Sequence, residues 1–378
     1  MFGFGKSNIF LGVDVGVASI KIVEIKLVDN KPYLSNYAWA KRPVSNDELH
    51  QQMNSFDAET IKCLKDVLRL GDFKSNSAHV AIPAFGGMVA LIEFPEMNKN
   101  DLDQAIKFEA HKYIPTSLEE TALSWEIVGR RESAEAIVKK SDFLVEGNEK
   151  DASATEKPAP VVNDVKMQVL LVAAPKKKVL SYEELIKNSG LTLDSIEIES
   201  FSLVRALIGN DPGNFLIIDI GGRICNMILA EKGIIKVNRN IDAGGRDITK
   251  TIAHSMGIDE ARAKNIKISK ENLLNAGSSI HFPTFEIIAN EAKRVLEAYY
   301  KNEGNKKIDG VILSGGTAGM TGIADYFTEA LGIKAVIGNP FGRINYDKVL
   351  EPKLKESGTR FSVSIGLALK GVDIYLKK

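Results

Sequence analysis

The residues best suited to binding chemistry follow a short apolar segment near the start of the chain. This segment contributes Asp14, Gly16, Val17, Ala18, Ser19 and Lys21. A tight turn directs successive backbone N–H groups at an anion, and Gly16 allows that backbone to approach closely. Ser19 can add a hydroxyl donor and Lys21 a positive charge, whereas Asp14 is suited to hold Mg²⁺ through water. The pattern indicates a phosphate clamp, although an ordinary Asp-Gly hairpin explains this segment equally well when it is taken alone.

The same order of residue types recurs in the middle of the chain. An apolar strand leads into Asp219, then Gly221, Gly222 and Arg223, and an apolar return strand follows. A phosphate chain held between two lobes needs two clamps, so the repetition strengthens the interpretation of both. Arg223 could act as a catalytic cation, but a solvated turn residue is the simpler interpretation.

Two further glycine turns complete the set of candidate binding segments. Gly315, Gly316 and Thr317 follow the apolar run 311–314 and precede a predicted helix. Small residues there let the backbone lie flat against an adenine or phosphate, and a helix N-terminus favours anions. Gly244 and Gly245 form a sharp turn before another predicted helix. A plain strand-to-helix turn explains the first of these segments when it stands alone.

The elements that position these turns form two similar halves joined by the linker 210–213. Each half starts with strands in hairpin order and continues into helices, which predicts an α/β protein with internal duplication. The predicted strands are 9–16, 19–26, 78–83, 88–94, 123–130, 166–174, 195–199, 215–220, 224–230, 233–241 and 311–314. The predicted helices are 61–70, 100–113 (capped by Asn100 or Asp101), 178–189, 247–256, 283–302, 323–331 and 361–375.

Composition narrows the class of protein. A chain of 378 residues favours two or more lobes. Its basic and acidic residues, 49 of each, cancel in net charge, so the overall charge does not indicate nucleic-acid binding. Cys63 and Cys225 are too few for a disulfide scaffold, and the five histidines lack metal-ligand spacing. The sequence shows no signal peptide. No apolar run approaches the length of roughly 20 residues that is needed to span a membrane. We therefore expect a soluble, cytoplasmic protein.

The segment 132–166 differs from its surroundings because it is polar, charged and proline-bearing. This composition predicts a mobile insertion between two strands, with a docking motif as the alternative.

The order of the four turns resembles the actin, Hsp70 and sugar-kinase superfamily. Within it the chain resembles the type IV pilus assembly family PilM, relatives of the division protein FtsA, most specifically at residues 108–115 and 365–371. The resemblance implies an α/β, actin-like (ribonuclease H-like) duplicated two-lobe fold with an FtsA-type inserted subdomain. The implied parts are a first lobe core (1–85), the inserted subdomain (86–195, with a mobile loop at about 132–165), a return segment and linker (196–212), a second lobe (213–360) and a C-terminal helix packing on the first lobe (361–378).

The resemblance also implies ATP and Mg²⁺ as cofactors. It makes residues 11–21 and 219–226 the two phosphate loops and 315–317 the adenosine loop, with Asp14 and Asp219 at the metal. It further places Lys267 near the ribose and adenine. Three positions depart from the family pattern: Val17 replaces a frequent Ser, Cys225 a Thr or Ser, and Lys264 a Glu. These departures argue against vigorous ATP hydrolysis.

The function implied is an ATP-binding scaffold of the pilus assembly platform, peripheral to the inner membrane. The cytoplasmic N-terminal peptide of PilN would recruit it by docking near residues 86–195, and self-association stays open. The sequence ends after its last predicted helix, without the membrane anchor of FtsA-like proteins. No water-orienting residue is evident, so we expect slow ATP hydrolysis or none. The alternatives are an FtsA-like division protein and a small-molecule kinase, for which Asp242 and Glu24 are formal candidates as the base.

Overall fold

The computed structural model describes residues 8–43, 56–114, 117–132, 165–275, 277–304 and 306–377. The chain divides into two compact units: Met88–Ala173 forms the small unit, and Met1–Gly87 with Ala174–Lys378 forms the large unit. Most of the predicted mobile insertion, residues 133–164, lies outside the described residues.

The large unit contains two five-stranded sheets built to the same plan. The first sheet has the order β3-β2-β1-β4-β8, and the second has the order β11-β10-β9-β12-β13. In each sheet the first three strands along the chain form an antiparallel meander that starts with the leading strand, Ile9–Val15 or Asn214–Ile220. The two strands on the other side of the leading strand are parallel to it. The internal duplication predicted from the sequence is therefore present in the strand order.

The strands of the large unit are β1 (Ile9–Val15), β2 (Ser19–Val28), β3 (Lys31–Lys41), β4 (Ser77–Ile82), β8 (Thr192–Ile198), β9 (Asn214–Ile220), β10 (Cys225–Glu231), β11 (Ile234–Ile241), β12 (Gly310–Ser314) and β13 (Ala335–Ile337). The leading strands read as nearly continuous apolar runs because both of their faces are covered. The edge strands β3 and β13 were missed in the sequence, because β3 has no regular alternation of buried and exposed residues and β13 is only 3 residues long.

The helices of the large unit are α1 (Ala58–Leu70), α3 (Lys176–Asn188), α4 (Glu199–Leu207), α5 (Gly245–Met256), α6 (Glu260–Lys267), α7 (Pro283–Glu303), α8 (Ile323–Leu331), α9 (Glu351–Ser357) and α10 (Ser362–Leu376). Helix α10 packs against β1 and α4. A Cβ added at Gly12 of β1 would overlap the carbonyl oxygen of Ser364, and one added at Gly366 would overlap that of Ser202. Glycine is required at both places because backbone meets backbone there.

In its described residues, the small unit is a three-stranded sheet with one α-helix packed against it. Its strands β5 (Met88–Pro95), β6 (Thr121–Glu132) and β7 (Val165–Pro175) have the order β5-β7-β6. Helix α2 (Lys99–Ala110) buries Leu102, Ile106 and Ala110 at helical spacing in the core of this sheet. The cap of α2 is Asn98, whose side chain accepts from the N–H groups of Asn100 and Asp101, so the sequence placed the cap two to three residues late.

The small unit ends earlier than the inserted subdomain drawn from the sequence, 86–195. Strand β8 pairs in parallel with β4, so it and the preceding α3 belong to the large unit. Sequence patterns show that a strand exists but not which sheet it joins, which is why this boundary differs.

Within the described parts of the chain, every helix is too short or too polar to cross a membrane.

Candidate functional site

The first hairpin brings a carboxylate and an ammonium group together. Asp14 and Lys21 are directly opposite each other on β1 and β2, and Lys21 Nζ lies 2.7 Å from Asp14 Oδ2. The turn between them is closed by a hydrogen bond from Gly16 N to Ser19 O, 3.1 Å long. A Cβ at Gly16 would lie 3.4 Å from Lys21 Nζ, which is an ordinary contact distance. The positive charge predicted for phosphate binding is thus held at the turn by Asp14.

The second hairpin places Asp219 at the same position in its own sheet. Asp219 lies in register with Asn226 on β10 and with Ser314 on β12. Burial raises the pKa of Asp219 to about 6, while a hydrogen bond from Ser314 and the charge of Lys21 oppose that rise and Asp14 adds to it. The effects of Lys21 and Asp14 show that the two hairpins lie in one electrostatic environment.

The two turns also meet in space. A Cβ built on Gly222 would lie 3.1 Å from the Cβ of Ala18, and both residues are exposed. Val17 and Ser19 are half-buried beside Ala18. Arg223 on the second turn forms an ion pair with Asp242, with 3.1 Å between Nε and Oδ1. The structure therefore brings the two hairpin turns together, with Arg223 held by a surface carboxylate.

The Gly244-Gly245 turn is bound to the second hairpin. Gly245 N donates to Gly221 O at 2.9 Å, and Lys267 Nζ donates to Gly245 O at 2.7 Å. A Cβ at Gly245 would overlap Thr317 Oγ1, and one at Gly244 would lie 2.6 Å from the Arg223 carbonyl carbon. Both glycines are therefore fixed by close packing, and they connect Lys267 and Thr317 to the phosphate-loop candidates.

Lys267 is an unusual lysine because it is buried. Burial, with a smaller contribution from the charge of Lys264, lowers the pKa of Lys267 to about 8. Its amino group donates to the Gly245 carbonyl, so it lies beside the Gly244-Gly245 turn.

The Gly315-Gly316 turn is open to solvent on one side only. Gly315 has a φ of +87°, and a Cβ there would overlap the carbonyl oxygen of Ile220. Gly316 is exposed, with no atom within 4 Å of an added Cβ. The helix predicted at 323–331 is present, but it does not follow the glycine turn directly. Helix α8 begins at Ile323, because residues 317–322 form successive turns that start with hydrogen bonds such as Met320 N to Thr317 O.

A third carboxylate, Glu199, joins the site and was missed in the sequence. Glu199 opens α4, and its Oε1 accepts a 2.9 Å hydrogen bond from Ala84 N. Burial raises the pKa of Glu199 to about 8, with further contributions from Asp219 and Asp14 that the charge of Lys21 opposes. The sequence feature that could have identified Glu199 is a carboxylate at a strand-to-helix junction, but no glycine turn lies beside that junction.

The two residues considered as the base of a kinase have other roles. Glu24 is buried, and its carboxylate accepts hydrogen bonds from the N–H groups of Lys74 and Ser75 at 2.7 and 3.0 Å. The Asp242 side chain is 70% exposed and pairs with Arg223. Neither arrangement supports a base directed at an acceptor hydroxyl.

Comparison with known proteins decides the family. The profile of the type IV pilus assembly protein PilM family matches residues 12–153 and 155–372. The chain belongs to this PilM family. The FtsA cell division protein of Enterococcus hirae is 21% identical over 379 residues, covering 90% of this chain and 80% of that protein. FtsA of Helicobacter pylori strain J99 is 25% identical over 229 residues, covering 53% of this chain and 46% of that protein.

Solved structures agree on the fold. A PilM chain described as part of a PilM-PilN type IV pilus biogenesis complex has a TM-score of 0.74 at 22% identity, covering 96% of this chain and 98% of its own. The ethanolamine utilization protein EutJ of Carboxydothermus hydrogenoformans has a TM-score of 0.51 at 17% identity, covering 96% and 89%. The fold of this PilM-family chain is actin-like, as the sequence predicted.

The three departures from the PilM-family pattern have different consequences in the structure. Cys225 is fully buried in the apolar core of the second sheet, which raises the pKa of its thiol, so it does not face the hairpin turns. Lys264 is exposed and acts on Lys267 through its charge. Val17 is half-buried in the first turn. Only the last two can affect a ligand at the site.

Proposed function

We propose that this PilM-family protein binds ATP with Mg²⁺ between its two hairpin turns and serves as a scaffold of the type IV pilus assembly platform. The observation that supports nucleotide binding best is the meeting of the two turns at Ala18 and Gly222, with Asp14, Lys21 and Asp219 beside them. The profile match over nearly the whole chain favours pilus assembly over the FtsA-like and kinase alternatives.

The residues present fit a magnesium-bound phosphate chain. Exposed backbone at Ala18, Gly222 and Gly316 can donate N–H groups to phosphate oxygens, with little side chain in the way. Mg²⁺ prefers to keep several water ligands and to use one or two carboxylates, which suits Asp14 and Asp219. When bound, Mg²⁺ neutralises phosphate charge. Lys21 is paired with the Asp14 carboxylate, and its charge also acts to lower the pKa of Asp219.

We expect ATP turnover below about 1 s⁻¹ at pH 7, under the usual range of enzymes. Glu199 is the candidate for a water-activating base, but burial raises its pKa to about 8, so only a small fraction of it is ionised at pH 7 and able to accept a proton from water. Steady-state phosphate release measures this rate, and Glu199→Gln should bind ATP as the wild type does. Turnover well above 1 s⁻¹ at pH 7 would refute the expectation of slow or absent ATP hydrolysis.

The partner that we propose is the cytoplasmic N-terminal peptide of a PilN-like membrane protein, which would hold this chain at the inner membrane. The resembling structure is of a PilM-PilN complex. On the small unit, the end of α2 exposes two aromatic side chains, Phe108 at 75% and Tyr113 at 44%. Exposed aromatic residues close together in sequence are typical of docking surfaces. They also fall in the segment 108–115 that resembles the family most specifically.

We expect the tail peptide of the PilN homologue from the same genome to co-purify with this protein. The double variant Phe108→Ala/Tyr113→Ala should weaken binding by about tenfold or more, because aromatic anchors carry much of an interface's binding energy. Val349→Ala is the matched control, since Val349 is an equally exposed apolar residue (79%) of the large unit. Absence of binding by the wild type, both with and without ATP, would exclude this recruitment. An equal loss in the control would exclude this docking surface.

A further inference from the structure

A row of polar side chains crosses the second sheet beside Asp219. Asp219, Asn226 and Asn240 are direct neighbours in register on β9, β10 and β11. Side chains of directly paired residues point to the same face of a sheet, with Cβ atoms about 5 Å apart. The opposite face carries Cys225 and Met227 in the apolar core. The row therefore presents a carboxylate and two amides on the face that contacts α4.

The first sheet contains the equivalent row, with one decisive difference. There Asp14, Lys21 and Trp39 are in register on β1, β2 and β3. Lys21 supplies one positive charge at 2.7 Å from the Asp14 carboxylate. The position equivalent to Lys21 is Asn226, which is neutral. Within the described residues no ion pair joins Asp219 to a lysine or arginine.

The hydrogen bonds around Asn226 fix the direction of its amide. Asn226 Nδ2 donates to Ser200 Oγ at 3.2 Å, and Ser200 Oγ donates to Asn238 Oδ1 at 3.0 Å. A serine hydroxyl has one proton, so Ser200 can only accept from Asn226 and the amide nitrogen must face it. Asn226 is 1% exposed, and its Oδ1 has no hydrogen-bond partner among the described residues. The Oδ1 of Asn240 is likewise buried and without a partner.

Buried amide oxygens without partners cost free energy, and they are rare in native proteins. We propose that the Asn226 and Asn240 Oδ1 atoms, with the Asp219 carboxylate, form a site for a monovalent cation. Its charge matches the single positive charge that Lys21 provides in the first sheet. Two neutral amide oxygens and one carboxylate supply oxygen ligands, but they carry less negative charge than the ligands of a dedicated divalent-cation site.

The test is the thermal unfolding temperature of the protein without nucleotide, so its outcome is independent of the proposed ATP binding. We expect KCl or NaCl to raise this temperature by about 2 °C or more over choline chloride at equal ionic strength, since only a bound ion stabilises by mass action. Separate potassium and sodium series show which ion the site prefers. Equal unfolding temperatures in all three salts, or a shift produced only by MgCl₂, would overturn the proposal.

Three variants locate the effect. Asn226→Leu should abolish the salt-specific shift, and Asn240→Leu carries the same expectation if the first variant does not fold. Asn226→Lys should abolish the shift while keeping the stability of the ion-bound wild type, because it restores the arrangement of the first sheet.

The matched control is Asn214→Leu. Asn214 also has a buried Oδ1 without a partner among the described residues, but it begins β9 at the end far from Asp219. It should keep the full shift. Loss of the shift in Asn214→Leu, or its persistence in Asn226→Leu, would contradict the assignment of the site.

Discussion

Replacing Asp14 or Asp219 with alanine is expected to lower the affinity for ATP in the presence of Mg²⁺ by about 30- to 100-fold, or roughly 2–3 kcal/mol. Each carboxylate ends the leading strand of one hairpin, and the two share the charge of Lys21. A fluorescence or calorimetric titration with and without Mg²⁺ measures the effect. Without Mg²⁺ the variants should differ little from the wild type, because the carboxylates are proposed to act through the metal.

The design of this experiment allows clear controls. Asp66 is an exposed carboxylate of α1 in an ion pair with Arg69, so Asp66→Ala should bind ATP normally. The double variant Asp14→Ala/Asp219→Ala should lose less than the sum of the single losses if both carboxylates serve one ion. Asp14→Ala leaves Lys21 without its partner, so each variant's unfolding temperature must be compared with the wild type. Unchanged Mg²⁺-dependent affinity in both single variants would refute the two-clamp site.

Replacing Gly366 with alanine is expected to destabilise the protein by about 3 kcal/mol or more, at the upper end of overpacking effects. A Cβ at Gly366 would lie 2.6 Å from the Ser202 carbonyl carbon, where α10 crosses α4. The obstacle is backbone, so no side chain can move away to make room. The unfolding temperature should fall by roughly 4 °C or more in a chain of this size.

Gly319→Ala provides the matched control for this prediction. An added Cβ at Gly319 meets only Glu356 O, at 3.9 Å, which is an ordinary contact. Its unfolding temperature should change by no more than about 2 °C. Because the clash at Gly366 involves the Ser202 carbonyl, Ser202→Gly should not rescue Gly366→Ala. Rescue, or an unfolding temperature equal to that of the wild type, would show that α10 does not cross α4 as described.

The sequence by itself determined the two Asp-Gly hairpins and the duplicated order of the sheets. These features are local, because an apolar strand, a turn glycine and a return strand follow one another within about a dozen residues. The element boundaries of the leading strands and most helices follow from the same short-range patterns. The edge strands β3 and β13 were missed because β3 has no regular alternation of buried and exposed residues and β13 is only 3 residues long.

The tertiary structure alone decided which side chains share the site. The charges of Asp14 and Asp219 act on Glu199 because α4 contacts strands of both sheets. No local sequence motif predicts that arrangement. Cys225 and Asn226 are adjacent in the sequence, yet one enters the apolar core and the other faces Asp219. Side chains alternate between the two faces of a strand. Which residue faces the candidate site therefore depends on which face of the strand packs into the apolar core. The choice of that face depends on packing between segments far apart in the chain.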